Sequence, residues 1–253
     1  MSVQDRISDL PDLVKRWDAQ QAAYIAGREQ RFTAMLDVVE LTVGGDRTIV
    51  DLGCGPGSLT RRLLDRFPDT RVVAVDYDPV LLALARATLT EYGSRVTVLD
   101  TDLRDAGWAS FAGEVSAMVS TTALHWLAPD QLIRLYAQIR DRLSPSGVLL
   151  DGDHFRFGDR DPALRTIAAD HDDLTQRAAF AAGAEDWASW WDAASAHPLL
   201  QPHVAERDRR YGRRTSTPET TVDFRLAALR QAGFGAVGTV WQLLDDYVVW
   251  AQK

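Results

Sequence analysis

The sequence has little cysteine, no excess of basic charge and no long apolar run, and each shortage excludes a class of protein. Cys54 is the only cysteine among 253 residues, which excludes an internal disulfide and a zinc site built from several cysteines. The formal net charge of −8 argues against a nucleic-acid groove, because such a groove needs a basic face. Apolar residues make up 46% of the chain, yet no uninterrupted run approaches the length of a transmembrane helix.

The first residues also lack the pattern of a secretory signal. Met1–Asp5 shows no basic segment followed by an apolar one. We therefore expect a cytoplasmic protein without nucleic-acid or membrane partners. The length of the chain allows one sizeable α/β domain together with an insertion.

What the sequence does contain is a strand, a glycine-rich turn and a helix in direct succession. Thr48–Leu52 is an apolar, β-branched run, which is typical of a strand buried on both faces. Gly53–Gly57 forms the turn, and then Leu59, Leu63 and Leu64 recur at helical spacing. Glycines let the backbone turn sharply and let a ligand approach N–H groups without a Cβ in the way. The pattern predicts a nucleotide-binding cradle.

The spacing of the glycines indicates which nucleotide the cradle binds. The dinucleotide fingerprint is G-x-G-x-x-G, whereas this turn reads G-x-G-x-G and continues with Ser58. Asp51 lies at the end of the preceding strand, where a carboxylate repels a diphosphate but accepts an amino group, directly or through water. The pattern favours the methionine end of S-adenosylmethionine (SAM). Two alternatives stay open: an NAD-dependent oxidoreductase and a non-catalytic SAM-binding scaffold protein.

Five segments resemble the class I SAM-dependent methyltransferases, in the order and spacing of that family. VDLGCGPG (Val50–Gly57) resembles the first motif, AVDYDP (Ala74–Pro79) the second-strand motif and LDTDL (Leu99–Leu103) the third motif. STTALHW (Ser120–Trp126) is similar to the fourth-strand segment of small-molecule methyltransferases of the trans-aconitate type, and LSPSGVLL (Leu143–Leu150) to the turn into strand five. The resemblance implies an enzyme that moves a methyl group from SAM to a small organic molecule and releases S-adenosylhomocysteine (SAH).

The resemblance also implies a set of cofactor-binding residues along the first four strands. Asp76 and its neighbour Tyr77 are implied for the ribose hydroxyls, and Asp102 with Leu103 for the adenine. Asp100 and Asp105 are the alternatives to Asp102. Ser120, at the end of the fourth strand, belongs to the same set. The residues implied at the turn are Asp51, Gly53, Cys54, Gly55 and Gly57.

N-terminal helices cover the pocket in that family, which makes Tyr24, Arg28 and Arg31 candidates to bind the methionine carboxylate. Trp17, Tyr24 and Arg28 fall on one stripe of the helical segment predicted within 7–42. The alternative is an ordinary solvated face with charged residues.

Two histidines are candidates for the chemistry. His125 comes after strand four, and its family counterpart lies close to the cofactor, so we expect a pocket residue and candidate base. The alternative is a packed loop histidine. His154 closes strand five and is a second candidate base on the acceptor side. Strand four ends in Ser120–Thr122 without a carboxylate, so we expect no metal site.

The alternation of strands and helices predicts an α/β fold with a doubly wound, mostly parallel sheet. The resemblance implies seven strands in the order 3-2-1-4-5-7-6, with the last strand antiparallel. We divide the chain into N-terminal helices over the pocket (1–45), a SAM-binding Rossmann-like core (46–153), a helical lid insertion (154–215) and a C-terminal helix with a strand pair (216–253). Gly27 is expected to break the N-terminal helix. Asp78 and Pro79 are expected to start the helix after strand two, and Gly93 to stop it. Strand five is predicted as Val148–Asp151, and the last helix is predicted to start at Pro218.

The lid segment carries two further patterns. Trp187, Trp190 and Trp191 fall at helical spacing, and core packing of the lid is favoured over an aromatic substrate wall. Arginines at 207, 209, 210, 213 and 214 alternate with acidic residues, which favours a solvated helix face over a grip on a carboxylate substrate. We expect methyl transfer to an oxygen, nitrogen or carboxylate of the acceptor, by a monomer or homodimer.

Overall fold

The computed structural model describes residues 9–44, 47–110, 113–212 and 219–253. Within them, nine α-helices surround one seven-stranded sheet. The helices are α1 (Leu10–Tyr24), α2 (Arg28–Thr42), α3 (Ser58–Arg66), α4 (Pro79–Thr88), α5 (Pro129–Arg142), α6 (Pro162–Ala181), α7 (Trp187–Ala196), α8 (Val204–Tyr211) and α9 (Val222–Gln231). The strands are β1 (Thr48–Leu52), β2 (Arg71–Asp76), β3 (Val96–Asp100), β4 (Val115–Thr121), β5 (Leu143–His154), β6 (Ala236–Leu243) and β7 (Asp246–Gln252).

The strand order is β3-β2-β1-β4-β5-β7-β6, which confirms the predicted sheet. Strands β1 to β5 pair in parallel, and β7 runs antiparallel to both β5 and β6. After β3 the chain crosses to the other side of β1, so the carboxyl ends of β1 and β4 flank a topological switch point. Ligands of open α/β sheets bind in the crevice outside such a point.

Helix α4 matches the predicted pattern at its start and departs from it at its end. Asp78 caps the first turn by accepting two backbone N–H groups, as the Asp-Pro pair predicts. The helix ends at Thr88 and does not reach Gly93, the predicted stop. The reason is that Leu89 leaves the helical conformation (φ −95°, ψ 3°), after which a short 3₁₀ segment runs on to β3.

Three other boundaries of helices and strands can be checked against the sequence predictions. Strand five was predicted as Val148–Asp151 and is longer, because pairing with β4 already begins at Leu143 and continues to Gly152. The N-terminal helical segment breaks at Gly27, whose φ is 69°, as predicted. The predicted start of the last helix, Pro218, lies outside the described residues.

Apolar side chains cover both faces of the sheet and also attach the segment after β5. Helices α5 and α9 pack on one face, and α2 and α3 pack on the other. A third cluster joins Leu13 of α1, Val80 of α4 and the fully buried Trp190 of α7. This cluster fixes α7 beside the carboxyl ends of the strands, so α1 and α7 together enclose the crevice.

Candidate cofactor and acceptor site

A cavity of about 430 Å³ lies outside the carboxyl ends of β1, β2, β3 and β4. Its volume is in the range of small-molecule sites, about 300–1,000 Å³. Its lining comes from four regions: the glycine turn, the segments after β2 and β3, the segment after β4, and helices that include α1, α2, α7 and α8. The lining includes Trp17, Arg28, Gly53, Cys54, Gly55, Asp76, Tyr77, Asp78, Asp102, Leu103, Arg104, Thr121, Thr122, His125, Trp126, Trp187, Trp191 and Arg207.

Two of the three glycines of the turn have no room for a side chain. Gly53, Gly55 and Gly57 have φ values of 73°, 55° and 94°, a region that residues with a Cβ rarely adopt. A Cβ on Gly53 would lie 2.3 Å from the Cβ of Ala123, and one on Gly57 would lie 2.9 Å from Leu89 Cδ1. Backbone conformation therefore favours glycine at all three positions, and tight packing adds to this at Gly53 and Gly57. The backbone N–H groups of Gly53, Cys54, Gly55 and Gly57 all donate within the fold, to Val75 O, Asp76 Oδ2 and Cys54 O.

Asp76 lines the cavity and is held by three backbone N–H groups. Gly55 N donates to Oδ2 (2.7 Å), while Tyr77 N and Asp78 N donate to Oδ1 (2.7 and 2.8 Å). Burial raises the pKa of Asp76 to about 6 although these hydrogen bonds oppose the rise. A carboxylate has about four acceptor positions, so at least one remains for a hydroxyl of a ligand.

Asp51 and Ser120 were implied as cofactor-binding residues, but neither side chain reaches the cavity surface. Both are fully buried. Ser120 Oγ donates to Leu52 O (2.7 Å), so its hydroxyl fastens β4 to β1. Asp51 Oδ2 accepts from the Thr60 hydroxyl (2.6 Å), and Oδ1 has no partner. Burial raises the pKa of Asp51 to about 7. The unpartnered oxygen fits a donor that arrives with a ligand through water.

Of the two predicted contacts from α1 and α2, Arg28 lines the cavity and Tyr24 does not. Tyr24 Oη accepts from Trp187 N (3.3 Å), and its ring packs edge-on against Phe180 at 5.6 Å between centroids. The predicted stripe is not continuous, because the chain leaves the helix after Tyr24 and turns at Gly27. Tyr24 therefore does not line the cavity, and its contact with the cofactor stays a prediction.

Arg28 is almost fully buried and has one guanidinium nitrogen without a hydrogen bond. Its Nη2 lies 2.9 Å from Asp18 Oδ1, its guanidinium lies over the Phe32 ring, and its Nη1 has no hydrogen-bond partner. Burial lowers the pKa of Arg28, and Asp18 opposes the change. Asp18 also accepts from Ser58 Oγ (2.6 Å) at the start of α3, so it joins Arg28 to the glycine turn. Arg31 instead lies outside the cavity and pairs with Asp246 (2.7 Å).

Asp102 and Leu103 line the cavity beyond β3, as the resemblance implies. Asp102 accepts from the guanidinium of Arg104, whose Nε lies 2.8 and 2.9 Å from the two carboxylate oxygens. The same guanidinium lies over the ring of Tyr77, 5.4 Å from its centroid. Cys54, at the turn, also lines the cavity, and burial raises the pKa of its thiol. That shift removes thiolate reactivity at neutral pH.

His125 lines the cavity and is oriented by a carboxylate that the sequence motifs did not reveal. Its Nδ1 lies 2.9 Å from both oxygens of Asp153, which is fully buried. Burial acts to raise the pKa of Asp153. The charge and hydrogen bonds of His125 outweigh burial and hold the pKa of this carboxyl well below its usual range. The alternation of side chains along β5 was the signal that could have identified Asp153, because a strand residue at this register faces the segment after β4.

His154 lies on the other side of the sheet and is not part of the cavity. Consecutive strand residues point to opposite faces, so Asp153 and His154 cannot both face His125. The Nδ1 of His154 is buried without a hydrogen-bond partner, and its charge acts on Asp246. His154 therefore does not line the cavity, and its role as an acceptor-side base stays an untested prediction.

Two arginines of α8, Arg207 and Arg210, hold the lid to the core, which corrects the expectation of a solvated face at these positions, whereas Arg209 is exposed as expected. Arg207 Nε lies 2.7 Å from Asp78 Oδ2 and its guanidinium lies 3.6 Å from the centroid of Trp191. Arg210 donates to both oxygens of Asp100 (2.6 and 3.0 Å) and to Tyr77 O. The hydrogen bonds to Asp100 raise the pKa of Arg210. Arginines 213 and 214 lie outside the described residues.

The three tryptophans of α7 divide between the two predicted roles. Trp190 is fully buried, and its Nε1 donates to Leu13 O (3.0 Å), which is core packing. Trp187 and Trp191 line the cavity beside Trp17, with ring centroids 5.6 and 6.5 Å from that ring. An aromatic wall therefore coexists with a packed core. Within the described ranges, no group of three or more His, Cys, Asp or Glu residues is arranged to hold a metal ion.

Comparison with known proteins decides between the open alternatives. Residues 49–147 match the sequence model of the family described as "Methyltransferase domain". The trans-aconitate 2-methyltransferase of Azoarcus sp. (strain BH72) is 37% identical over 134 residues, which are 53% of this chain and 49% of that protein. Over residues 49–147 the core is similar to the SAM-dependent methyltransferases. The NAD-dependent oxidoreductase and the non-catalytic scaffold find no support in these matches.

Other methyltransferases agree over different parts of the chain. The malonyl-[acyl-carrier protein] O-methyltransferase of Acetivibrio thermocellus is 36% identical over 78 residues, 31% of this chain and 28% of that protein. The magnesium protoporphyrin IX methyltransferase of Synechocystis PCC 6803, solved with bound SAH, superposes with a TM-score of 0.59. That match has 13% identity and covers 95% of this chain and 94% of the other, which shows the methyltransferase fold.

Two facts bound what the methyltransferase domain implies for the whole protein. The chain spans about half the length of the trans-aconitate relative, and less of the malonyl-carrier relative. In the part of the chain that the structure describes, no helix has both the length and the apolar character needed to cross a membrane.

Proposed function

We propose that this protein transfers the methyl group of SAM to an oxygen, nitrogen or carboxylate of a small organic acceptor. The observation that carries the proposal is the continuity of one cavity from the glycine turn to the His125–Asp153 pair. A cofactor bound at the turn then has its reactive end within the same enclosed space as an oriented imidazole. The names of the relatives, which include a trans-aconitate 2-methyltransferase, support a small-molecule acceptor.

The residues divide the cavity between cofactor and acceptor. We assign Arg28 to the methionine carboxylate, because its Nη1 has no hydrogen-bond partner and the residue lies in the cavity wall beside the turn. Asp76 is assigned to the ribose hydroxyls, and Asp102 with Leu103 to the adenine. Asp51 contributes through its unpartnered oxygen and a bridging water to the amino group.

The reaction needs alignment, exclusion of water and, for a protonated acceptor, removal of a proton. SAM supplies a methyl group already activated by its positively charged sulfur. His125 is the candidate base: Asp153 holds its Nδ1, which leaves Nε2 on the opposite edge of the ring. Segment 154–215 acts as a lid over this space, held by the arginines of α8.

The test is methyl transfer from SAM labelled in its methyl group, followed by mass spectrometry of a panel of small acceptors. We expect labelled product and SAH in equal amounts, and a loss of turnover in His125→Ala with unchanged SAM binding. The proposal fails if purified protein neither binds SAM nor forms SAH with any acceptor of the panel.

A further inference from the structure

The part of the cavity beside the end of β4, here called the acceptor end, is what remains after the cofactor is placed. The cofactor motifs lie at the ends of β1, β2 and β3, whereas the acceptor end adjoins β4 and the lid. It is lined by Thr121, Thr122, His125, Trp126 and Trp187. Assigning an occupant to the acceptor end rests on the proposed function, because that occupant is the acceptor of the same reaction.

Among the described residues, no arginine or lysine lines the acceptor end. Arg31 lies behind it, where its Nη2 donates to Thr121 Oγ1 and Thr122 Oγ1 and its Nη1 pairs with Asp246 (2.7 Å). The arginines that line the cavity in the described part of the chain lie elsewhere, and each already faces a carboxylate. The pairs are Arg28 with Asp18 (2.9 Å), Arg104 with Asp102, and Arg207 with Asp78 (2.7 Å). Removing a carboxylate from water without a partner is costly, and an acceptor with two or three carboxylates would bring several such charges.

The acceptor end is instead aromatic. Trp126 and Trp187 are 46% and 43% exposed, which leaves large indole surfaces in water beside the cavity. The ring of His125 lies 5.0 Å from that of Trp126, and the ring of Trp187 lies 5.6 Å from that of Trp17. Flat apolar walls of this kind gain most from a planar ring that stacks on them.

The His125–Asp153 pair adds an independent constraint. A carboxylic acid has a pKa near 4 and is already ionised at neutral pH, so a carboxylate acceptor needs no base. A phenolic hydroxyl has a pKa near 10 and keeps its proton, so a base aids its reaction. An imidazole oriented by a buried carboxylate therefore suits an acceptor that carries a proton on the attacked oxygen.

We infer that the acceptor is a planar aromatic molecule methylated on a ring hydroxyl, and not a di- or tricarboxylate. The hydroxyl oxygen forms a bond to the methyl carbon as the carbon–sulfur bond breaks, and the electron pair of that bond stays on sulfur in SAH. The proton of the hydroxyl passes to Nε2 of His125 and then to solvent. The acceptor class thus differs from that named for the trans-aconitate relative.

The test measures binding to the full chain saturated with SAH, with three probes at neutral pH. 2-Naphthol and 2-naphthoate share one ring system and differ in hydroxyl against carboxylate, while trans-aconitate is a tricarboxylate without a ring. We expect 2-naphthol to bind at least about tenfold more tightly than either carboxylate, and to be methylated when SAM replaces SAH. Equal or tighter binding of a carboxylate, or no binding of 2-naphthol, overturns the inference.

Two variants locate the binding. Trp187→Ala is expected to weaken 2-naphthol binding by about tenfold and to leave the affinity for SAH unchanged. Leu41→Ala is the control, because Leu41 is 85% exposed near the end of α2, does not line the cavity, and its loss should change neither affinity. Unchanged 2-naphthol affinity in Trp187→Ala contradicts the inference. Failure of the wild-type protein to bind SAH at all is a separate result, which removes the proposed function itself.

Discussion

Asp153 faces the imidazole of His125 with both carboxylate oxygens, each 2.9 Å from Nδ1. This arrangement fixes which ring nitrogen carries a proton. In Asp153→Asn the amide can donate to Nδ1, which favours a proton on Nε2 and removes the base. We expect kcat for a hydroxyl acceptor to fall by about 100-fold or more, with little change in the Kd for SAH. Steady-state kinetics and calorimetry measure the two quantities.

The control for Asp153→Asn is Asp141→Asn, an exposed position whose carboxylate lies near Arg140. It should keep full activity. Charged groups near the His125–Asp153 pair also influence it. Arg225 and Asp151 form a fully buried ion pair (3.1 Å) behind these two residues. If Asp153→Asn keeps wild-type kcat across pH 6 to 9, the His125 base is excluded.

Arg28 and Arg62 form a matched pair for testing the methionine carboxylate. Both approach Asp18 and both lie over the ring of Phe32, but only Arg28 lines the cavity. Loss of a charged hydrogen bond removes about 1.5–3 kcal/mol, so Arg28→Ala should weaken SAM binding by about tenfold to a hundredfold. Arg62→Ala should change it little. Equal losses in both variants would assign Arg28 a purely structural role.

The arginines of α8 predict a salt-sensitive lid. Arg207 and Arg210 pair with the core carboxylates Asp78 and Asp100, whereas Arg209 is 73% exposed and pairs with Glu206 on its own helix. Breaking a core pair should speed SAH dissociation by about threefold to tenfold, as should high salt in the wild type. Stopped-flow displacement measures this rate. Arg209→Ala is the control, and an equal acceleration there would contradict the lid contact.

Cofactor affinity should rise with pH. Burial raises the pKa of Asp51 to about 7 and that of Asp76 to about 6, so both folded-state values lie above the unfolded ones. Their contribution to folding stability is complete below pH 4 and is lost as pH rises through 6 to 7. In the complex proposed above, SAM donates to both carboxylates and favours their ionised forms, so we expect binding to release protons in this window.

The measurement for this prediction is the Kd for SAM from pH 5.5 to 8. We expect an increase in affinity of about tenfold over that range, and a flatter profile in Asp51→Asn. Calorimetry in two buffers of different ionisation enthalpy detects proton exchange on binding. Proton uptake, in place of the expected release, would contradict the prediction.

The sequence was most informative where the local backbone requires a particular residue type. The glycine turn, the Asp78 cap and the strand order result from backbone requirements that adjacent residues reveal. It was least informative where a contact depends on a break in a helix or on which face of a strand a residue occupies. Tyr24 lies outside the cavity because the chain turns at Gly27, and His154 because neighbours in β5 alternate between faces.

Long-range pairs could not be predicted either. The partner of His125 is 28 residues away in sequence, and that of Arg210 is 110 residues away. The contacts of Arg207 and Arg210 with the core join α8 to carboxylates at the ends of β2 and β3. A charge run alone cannot distinguish such a contact from a solvated face.

Isothermal titration of the purified chain with SAM, and separately with NAD⁺, tests the central claim most directly. The structure predicts saturable binding of one SAM per chain, weakened in Arg28→Ala, and no heat of binding with NAD⁺. Saturable binding of NAD⁺ together with no binding of SAM would contradict the account.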